Sequence, residues 1–349
     1  MSATVTTIIP TFRRPKLLQR ALRSALDQTH QGVRVCVYDN ASGDETASVV
    51  AAVSANDPRV SYFCHPQTVP VAQNFQFGLD RVATPFFSFL SDDDVLFPNF
   101  YATALARLEN QPEALFAAGS AIEYDESGSV RYAPLALWNR EGQYAPPDGF
   151  TSMLNNRHPT LTAILFRHEV VEKVGALDTA ISGPADLDYE LRVAARFPYE
   201  IFYEPSAAYV HHENRISTAE DARVIEQYQR IADNLRADER IAPALRVVIP
   251  RLLERQMRRK LYEVAVKSIV AGLDDNARAA AALLRTRFSR PVVASLIDLT
   301  AGASERFPAV RRLLTSIESA RVAGRAREAK RLLKLRTGDD GSSYARFLA

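Results

Sequence analysis

Cysteine, tryptophan and methionine are scarce: the 349 residues include 2, 1 and 3 of them. Cys36 and Cys64 sit in separate apolar runs without metal-ligand spacing. This excludes a thiolate zinc site, gives no sign of an oxidising compartment, and leaves two buried free thiols as the expectation. Also missing is any run of about 18 apolar residues, which excludes a membrane-spanning helix. The first apolar run, Val5–Ile9, lacks a basic lead-in and is cut by Pro10. No signal peptide is therefore expected, and the chain reads as cytoplasmic. Glycine is absent from Pro10-Thr11-Phe12-Arg13-Arg14-Pro15, so a dinucleotide-binding or Walker loop after that run is excluded.

What is present is ordinary for a globular protein, with 47% hydrophobic and 24% charged residues. The net charge of +2 hides a division. Residues 1–220 carry 17 Lys/Arg against 26 Asp/Glu, net −9, and residues 221–349 carry 26 against 15, net +11. Two regions with different surfaces are expected.

Short β-branched runs alternate with helical periodicity through the first third. Val5–Ile9, Val33–Tyr38, Val60–Cys64 and Phe86–Leu90 read as strands. Between them, Leu17, Leu18, Ala21, Leu22, Ala25 and Leu26 follow Pro15 at helical spacing, and helices are expected from about Glu45 and over Val71–Val82. Such alternation calls for a mixed, mostly parallel α/β sheet flanked by helices. From Arg107 to Tyr209 the pattern loosens, with strands expected at Leu115–Ala118, Leu161–Phe166 and Ile201–Tyr203 and a helix over Asp186–Phe197. Beyond Thr218 the chain reads as a helical C-terminal extension, broken near Pro243, Pro250, Pro291 and Pro308 and frayed from Thr337. The expected division is a catalytic domain at 1–218, with a nucleotide-binding half at about 1–105 and an acceptor half at about 106–218, and a basic helical region at 219–349.

In sheets of this class ligands bind beyond the carboxyl ends of the strands. Three polar clusters fall there: Thr11-Phe12-Arg13, Asp39-Asn40 and Asp92-Asp93-Asp94. Three adjacent carboxylates fed by an apolar strand repel one another. A hard divalent cation, Mg²⁺ or Mn²⁺, relieves that repulsion.

In order and spacing, Ile8-Ile9-Pro10-Thr11-Phe12-Arg13-Arg14, Val37-Tyr38-Asp39-Asn40-Ala41-Ser42-Gly43-Asp44 and Phe89-Leu90-Ser91-Asp92-Asp93-Asp94 resemble the signature of the family 2 inverting glycosyltransferases, which have the GT-A fold. The resemblance covers about residues 4–217. It implies a nucleoside pocket lined by Pro10, Thr11, Phe12 and Arg14, with Asp39 on the base or its ribose. Asn40 stands where the family often has a second aspartate, which leaves the base open. Gln73-Asn74 resembles the family's polar pair near the nucleotide. Asp92, Asp93 and Asp94 resemble the DXD motif that holds Mn²⁺ or Mg²⁺ against the diphosphate, and which two of them do so stays open.

Gly183-Pro184-Ala185-Asp186-Leu187-Asp188-Tyr189-Glu190-Leu191-Arg192 resembles the segment carrying the family's general base, here Asp186, with Ala185 in place of the usual Glu. Asp188 competes for that role. His212, in His211-His212-Glu213-Asn214, matches a histidine that approaches the metal or diphosphate. The resemblance implies transfer from a UDP-, GDP- or dTDP-sugar to a glycan or lipid-linked hydroxyl, in cell-surface polysaccharide or glycan assembly. Two rivals stand beside it. One is a sugar nucleotidyltransferase, which would want a Gly-rich phosphate loop. The other is a degenerate fold that only binds. Arg246, Arg251, Arg255, Arg258, Arg259 and Lys260 alternate with apolar residues over Leu245–Val270. That pattern suits packing, homo-oligomerisation or peripheral contact with the inner face of a membrane. It lacks the aromatics of a nucleic-acid surface.

Overall fold

A computed structural model describes residues 4–156, 158–211 and 221–348. The first strand, β1 (Val5–Thr11), is buried along its whole length, as its β-branched composition requires of a central strand. Helix α1 (Pro15–Leu26) opens on a proline, whose missing N–H costs nothing in a first turn. It buries Leu18, Ala21, Leu22 and Ala25 at helical spacing. There follow β2 (Val33–Asp39), α2 (Thr46–Ser54), β3 (Val60–Cys64), α3 (Val71–Leu79), β4 (Phe86–Phe89), β5 (Val95–Leu96), α4 (Phe100–Asn110), β6 (Phe116–Tyr124), β7 (Val130–Tyr132), β8 (Gly142–Tyr144), α5 (Asp148–Asn155), β9 (Ile164–Arg167), α6 (Glu169–Val174), α7 (Ala185–Ala194) and β10 (Tyr199–Val210).

The described strands form one sheet in the order β3-β2-β1-β4-β9-β6-β10-β5, with β7 on β6 and β8 on β10. The β3-β2-β1-β4 part is parallel, and β9 and β5 run antiparallel to their neighbours. The mixed, mostly parallel sheet expected from the sequence is therefore present. In register, Thr11 lies beside Asp39 and Ile8 beside Phe89. The chain crosses to opposite sides of β1 to make β2 and β4, and the ends of all three strands leave the sheet at this switch point.

One expectation fails at the sheet edge. Cys36 is buried, but Cys64 is exposed. The cause is β3's place at the edge, where Ser61, Tyr62, Phe63 and Cys64 face solvent. An apolar run alone does not distinguish a central strand from an edge one.

Helix α3 lies close against β1 and β2 at Gly78. A Cβ built there would come 2.5 Å from Ile8 Cγ2 and 2.9 Å from the Tyr38 ring. Gly78→Ala is accordingly expected to destabilise by about 1–3 kcal/mol through overpacking, read as a lowered Tm.

The chain divides into two compact units, residues 1–212 with 326–349, and residues 213–325. The second is helical: α8 (Val224–Ala237), α9 (Pro243–Ala271), α10 (Asp274–Thr286), α11 (Pro291–Arg306) and the first part of α12 (Pro308–Thr337). Within it the buried Asp274 accepts a hydrogen bond from Ser304 Oγ at 2.8 Å and pairs with Arg311. Pro243, Pro291 and Pro308 begin helices, but Pro250 lies inside α9 and does not break it. Burial of Leu245, Ile249, Leu253 and Met257 holds that helix through the one backbone bond the proline removes. No helix among the described residues is long and apolar enough to cross a membrane.

The tail is ordered into the first unit, against the frayed end expected from Thr337. Tyr344 and Phe347 set their rings 4.7 and 5.6 Å from that of Phe97, and Tyr124 donates its hydroxyl to Gly341 O at 2.6 Å. Arg336 donates to Ala136 O at 2.8 Å and lies over the Tyr203 ring. These are long-range contacts that the polar local composition of the tail does not reveal.

Candidate active site

The ends of β1, β2 and β4 carry the polar clusters. Where β1 ends, Arg13 takes a φ of 54°, and after β2 Ala41 takes 59°. Left-handed backbone in residues with a Cβ is strained, and such strain concentrates at functional sites. The two turns are tied together: Arg13 N donates to Ser42 Oγ at 2.8 Å, and Asn40 N to Thr11 O at 2.9 Å.

Asp92, Asp93 and Asp94 are all buried, at 5, 3 and 1% exposure. Thr11 Oγ1 donates to Asp92 Oδ2 at 2.7 Å, and Thr162 Oγ1 to Asp94 Oδ2 at 2.7 Å. Arg14 Nη1 bridges Asp92 Oδ1 at 3.2 Å and Asp93 Oδ2 at 2.9 Å. Arg20 holds the loop from behind, donating to Asp93 O at 3.1 Å and to Leu348 O in the tail at 3.0 Å. Burial, with the Asp93 charge adding to it, pushes the Asp92 carboxyl up to about 6 despite Thr11 and Arg14. Among the described residues, two cationic side chains, Arg14 and Arg20, stand against these three desolvated carboxylates. Their hard oxygens suit Mn²⁺ or Mg²⁺ in kind, but among the described residues the three side chains whose ligand atoms gather within 4.8 Å of one another are His158, Asp186 and Glu190, not the triplet.

Asp39 accepts three hydrogen bonds and keeps acceptor capacity on Oδ2. Ser42 N and Oγ donate to Oδ1 at 3.0 and 2.5 Å, and Tyr62 OH donates to Oδ2 at 2.6 Å. Phe12 stays 38% exposed at the lip, with the Arg13 guanidinium over its ring. Pro10, in β1, sits in register with Tyr38. The amide of Asn40 is turned to the Val69 peptide, donating to its O and accepting from its N, both at 2.8 Å. Asn74 is buried, its Oδ1 2.9 Å from His65 Nε2 and its Nδ2 donating to Tyr38 O at 2.9 Å. Every polar atom of both amides has a protein partner.

Asp186 stands in the first turn of α7, half-buried, with Oδ1 accepting from Leu187 N at 2.7 Å. Its competitor Asp188 is fully buried and accepts from Arg192 Nε at 2.8 Å. Near Asp186 the structure brings two residues that the sequence reading passed over. One oxygen or nitrogen each from Asp186, Glu190 and His158 lie within 4.8 Å of one another. Glu190 shares Asp186's helix face at i+4, a signal visible in the sequence, whereas His158 arrives from a loop and has none. Tyr62, Thr162 and Arg20 were likewise unmarked. His212 lies outside the described residues.

Comparison with known proteins agrees with this geometry. Residues 6–175 match the family model described as glycosyl transferase family 2. A GalNAc(5)-diNAcBac-PP-undecaprenol beta-1,3-glucosyltransferase of Campylobacter jejuni is 34% identical over 101 residues, 29% of this chain and 33% of that protein. The glycosyltransferase GlyG of Streptococcus pneumoniae is 23% identical over 132 residues, 38% of this chain and 44% of that one. The chain thus spans a third of the first relative and less than half of the second. Among solved structures, S. aureus TarS 1-349 in complex with UDP-GlcNAc aligns over 88% of this chain and 92% of its own, with a TM-score of 0.61 and 16% identity. The mannosyltransferase PcManGT of Pyrobaculum calidifontis, in complex with GDP-Man and Mn²⁺, aligns over 93% and 86%, with a TM-score of 0.55 and 18% identity. At such identities the likeness speaks for the fold alone. Residues 6–175, which hold the ordered strand-end motifs, thus match glycosyl transferase family 2, and they lie in the GT-A fold shared with these two solved glycosyltransferases.

Proposed function

We propose that the chain moves a sugar from a nucleoside-diphosphate donor to an acceptor hydroxyl, with inversion at the anomeric carbon. The observation that carries this reading is the convergence of Thr11, Asp39 and Asp92–Asp94 from three parallel strand ends. The donor class is supported by the structural neighbours, whose complexes hold UDP-GlcNAc or GDP-Man.

Pro10, Thr11, Phe12 and Asp39 would take the nucleoside, with the exposed Phe12 ring available to stack on a base. Asp92, Asp93 and Asp94 would hold the cation, which supplies charge neutralisation to the departing diphosphate. Arg14, already between Asp92 and Asp93, is placed to share its charge with the phosphates. Asp186 would take the proton from the acceptor hydroxyl as that oxygen attacks the face opposite the leaving group. One base suffices for a single displacement. The paired arrangement needed by a double displacement is not required.

A glycan or lipid-linked acceptor is favoured, given that the Campylobacter relative is named for an undecaprenol-linked one. The helices of residues 213–325 would serve oligomerisation or contact with the inner, anionic face of a membrane. Sedimentation with and without anionic vesicles separates these two. A thermal-shift screen of UDP-, GDP- and dTDP-sugars with Mn²⁺ tests the donor. A ligand at a hundredfold excess over its Kd stabilises by about 2.7 kcal/mol, so one donor series should raise Tm and the others not. No shift with any nucleotide sugar would remove the reading.

A further inference from the structure

Glu190 is out of place by ordinary rules. It is fully buried on α7, and neither carboxylate oxygen accepts a hydrogen bond from any described residue. Carboxylates are almost never buried without partners, because desolvating the charge is costly. Among the described residues the group placed to compensate it is His158, whose Nδ1 stands 3.4 Å from Glu190 Oε2. Nδ1 is also 3.0 Å from the Pro159 carbonyl. That oxygen can only accept, so a hydrogen on Nδ1 lies between two acceptors, Pro159 O and Glu190 Oε2. The His158 side chain is 34% exposed and connects the buried carboxylate to water. Besides His158, the titratable groups among the described residues that act with Glu190 are Asp186, one turn earlier on the same helix, and Tyr199 on β10. The Tyr199 hydroxyl is committed to Gly149 O at 2.7 Å.

We propose that Glu190 and His158 are positioning residues for Asp186: they share one proton, and that shared proton sets the charge and orientation of the Asp186 carboxylate when the acceptor hydroxyl arrives. This rests on Asp186 being the base. Geometry carries the case, since three ionisable groups lie within 4.8 Å of one another on a helix start and a loop. Burial also pushes the Glu190 carboxyl up to about 7, opposed by the charge of His158. An unsatisfied buried acid costs stability and persists where it serves function.

The test is Glu190→Gln, an isosteric change that removes the charge and keeps the volume. Turnover is expected to fall about tenfold or more with donor KM within about twofold, as for a group that acts only in the chemical step. The limb of the pH–kcat profile between about pH 6 and 8 should move by about one unit or more. Tm should rise, and more at pH 8 than at pH 5. The native acid binds its proton more tightly than the unfolded one, so wild-type stability falls as pH climbs from the ordinary carboxyl range to about 7 and is flat above it. His158→Gln should move the same limb and lower Tm, because it leaves Glu190 uncompensated.

Full turnover with an unchanged profile in Glu190→Gln would overturn the proposal. So would a uniform loss at every pH accompanied by a lower Tm. A stoichiometric second cation in the wild type, lost in Glu190→Gln, would put a metal in place of the shared proton and overturn it as well. Asp186→Asn separates the two levels. If that variant turns over, the base assignment itself fails; if it is inactive while Glu190→Gln behaves as wild type, only the positioning role fails.

Discussion

Asp186→Asn should lower sugar transfer by about 10²–10⁴-fold while donor affinity stays near wild type, since general-base catalysis contributes that much and the side chain is not assigned to donor binding. The amide keeps the shape of the carboxylate and its acceptor oxygen for Leu187 N. Loss of turnover therefore reports loss of proton transfer and not loss of the helix start. The geometry favours Asp186 over Asp188. Asp188 is fully buried and bound to Arg192, so it offers no face to an acceptor. Steady-state rates with donor titrated by calorimetry would decide it. Retained turnover in Asp186→Asn, or inactivation by Asp188→Asn with folding intact, would move the base elsewhere.

Removal of divalent cation should have an effect of similar size. Among the described residues Arg14 and Arg20 face three buried carboxylates, and Asp92 is already pushed up to about 6 by its burial and by Asp93. A cation worth several kcal/mol to the developing charge corresponds to about 10³-fold in rate. Treatment with EDTA should thus abolish transfer, and Mn²⁺ or Mg²⁺ should restore it. A readout independent of turnover is direct calorimetric titration of Mn²⁺ into wild type and into Asp92→Asn or Asp94→Asn. Weaker binding in the variant identifies a ligand among the three. Activity indifferent to chelator, together with equal Mn²⁺ binding in both variants, would remove the triplet from the role.

The stability predictions bear on the same site from behind. Gly78 lets α3 approach β1 and β2, and α3 carries Asn74, whose amide ties Tyr38 to His65. Arg20 ties the backbone of Asp93 to the carbonyl of Leu348. The aspartate loop is thus braced by a residue 73 positions earlier and by the end of the chain.

The local sequence by itself determined the parallel half of the sheet, its helices and the three polar strand ends. Strand alternation, helical spacing and the clustering of Thr11, Asp39 and Asp92–Asp94 are short-range patterns, and the crossover rules of α/β sheets turn them into one cleft. Only the tertiary structure decided that β3 is an edge that exposes Cys64, and that Asn40 and Asn74 spend their amides on the protein itself. The return of the tail to Phe97 and the approach of His158 to Glu190 beside the proposed base are likewise tertiary facts. Each depends on which distant segment is brought alongside, a contact set by packing of the whole core. No period or motif in the neighbouring residues encodes it.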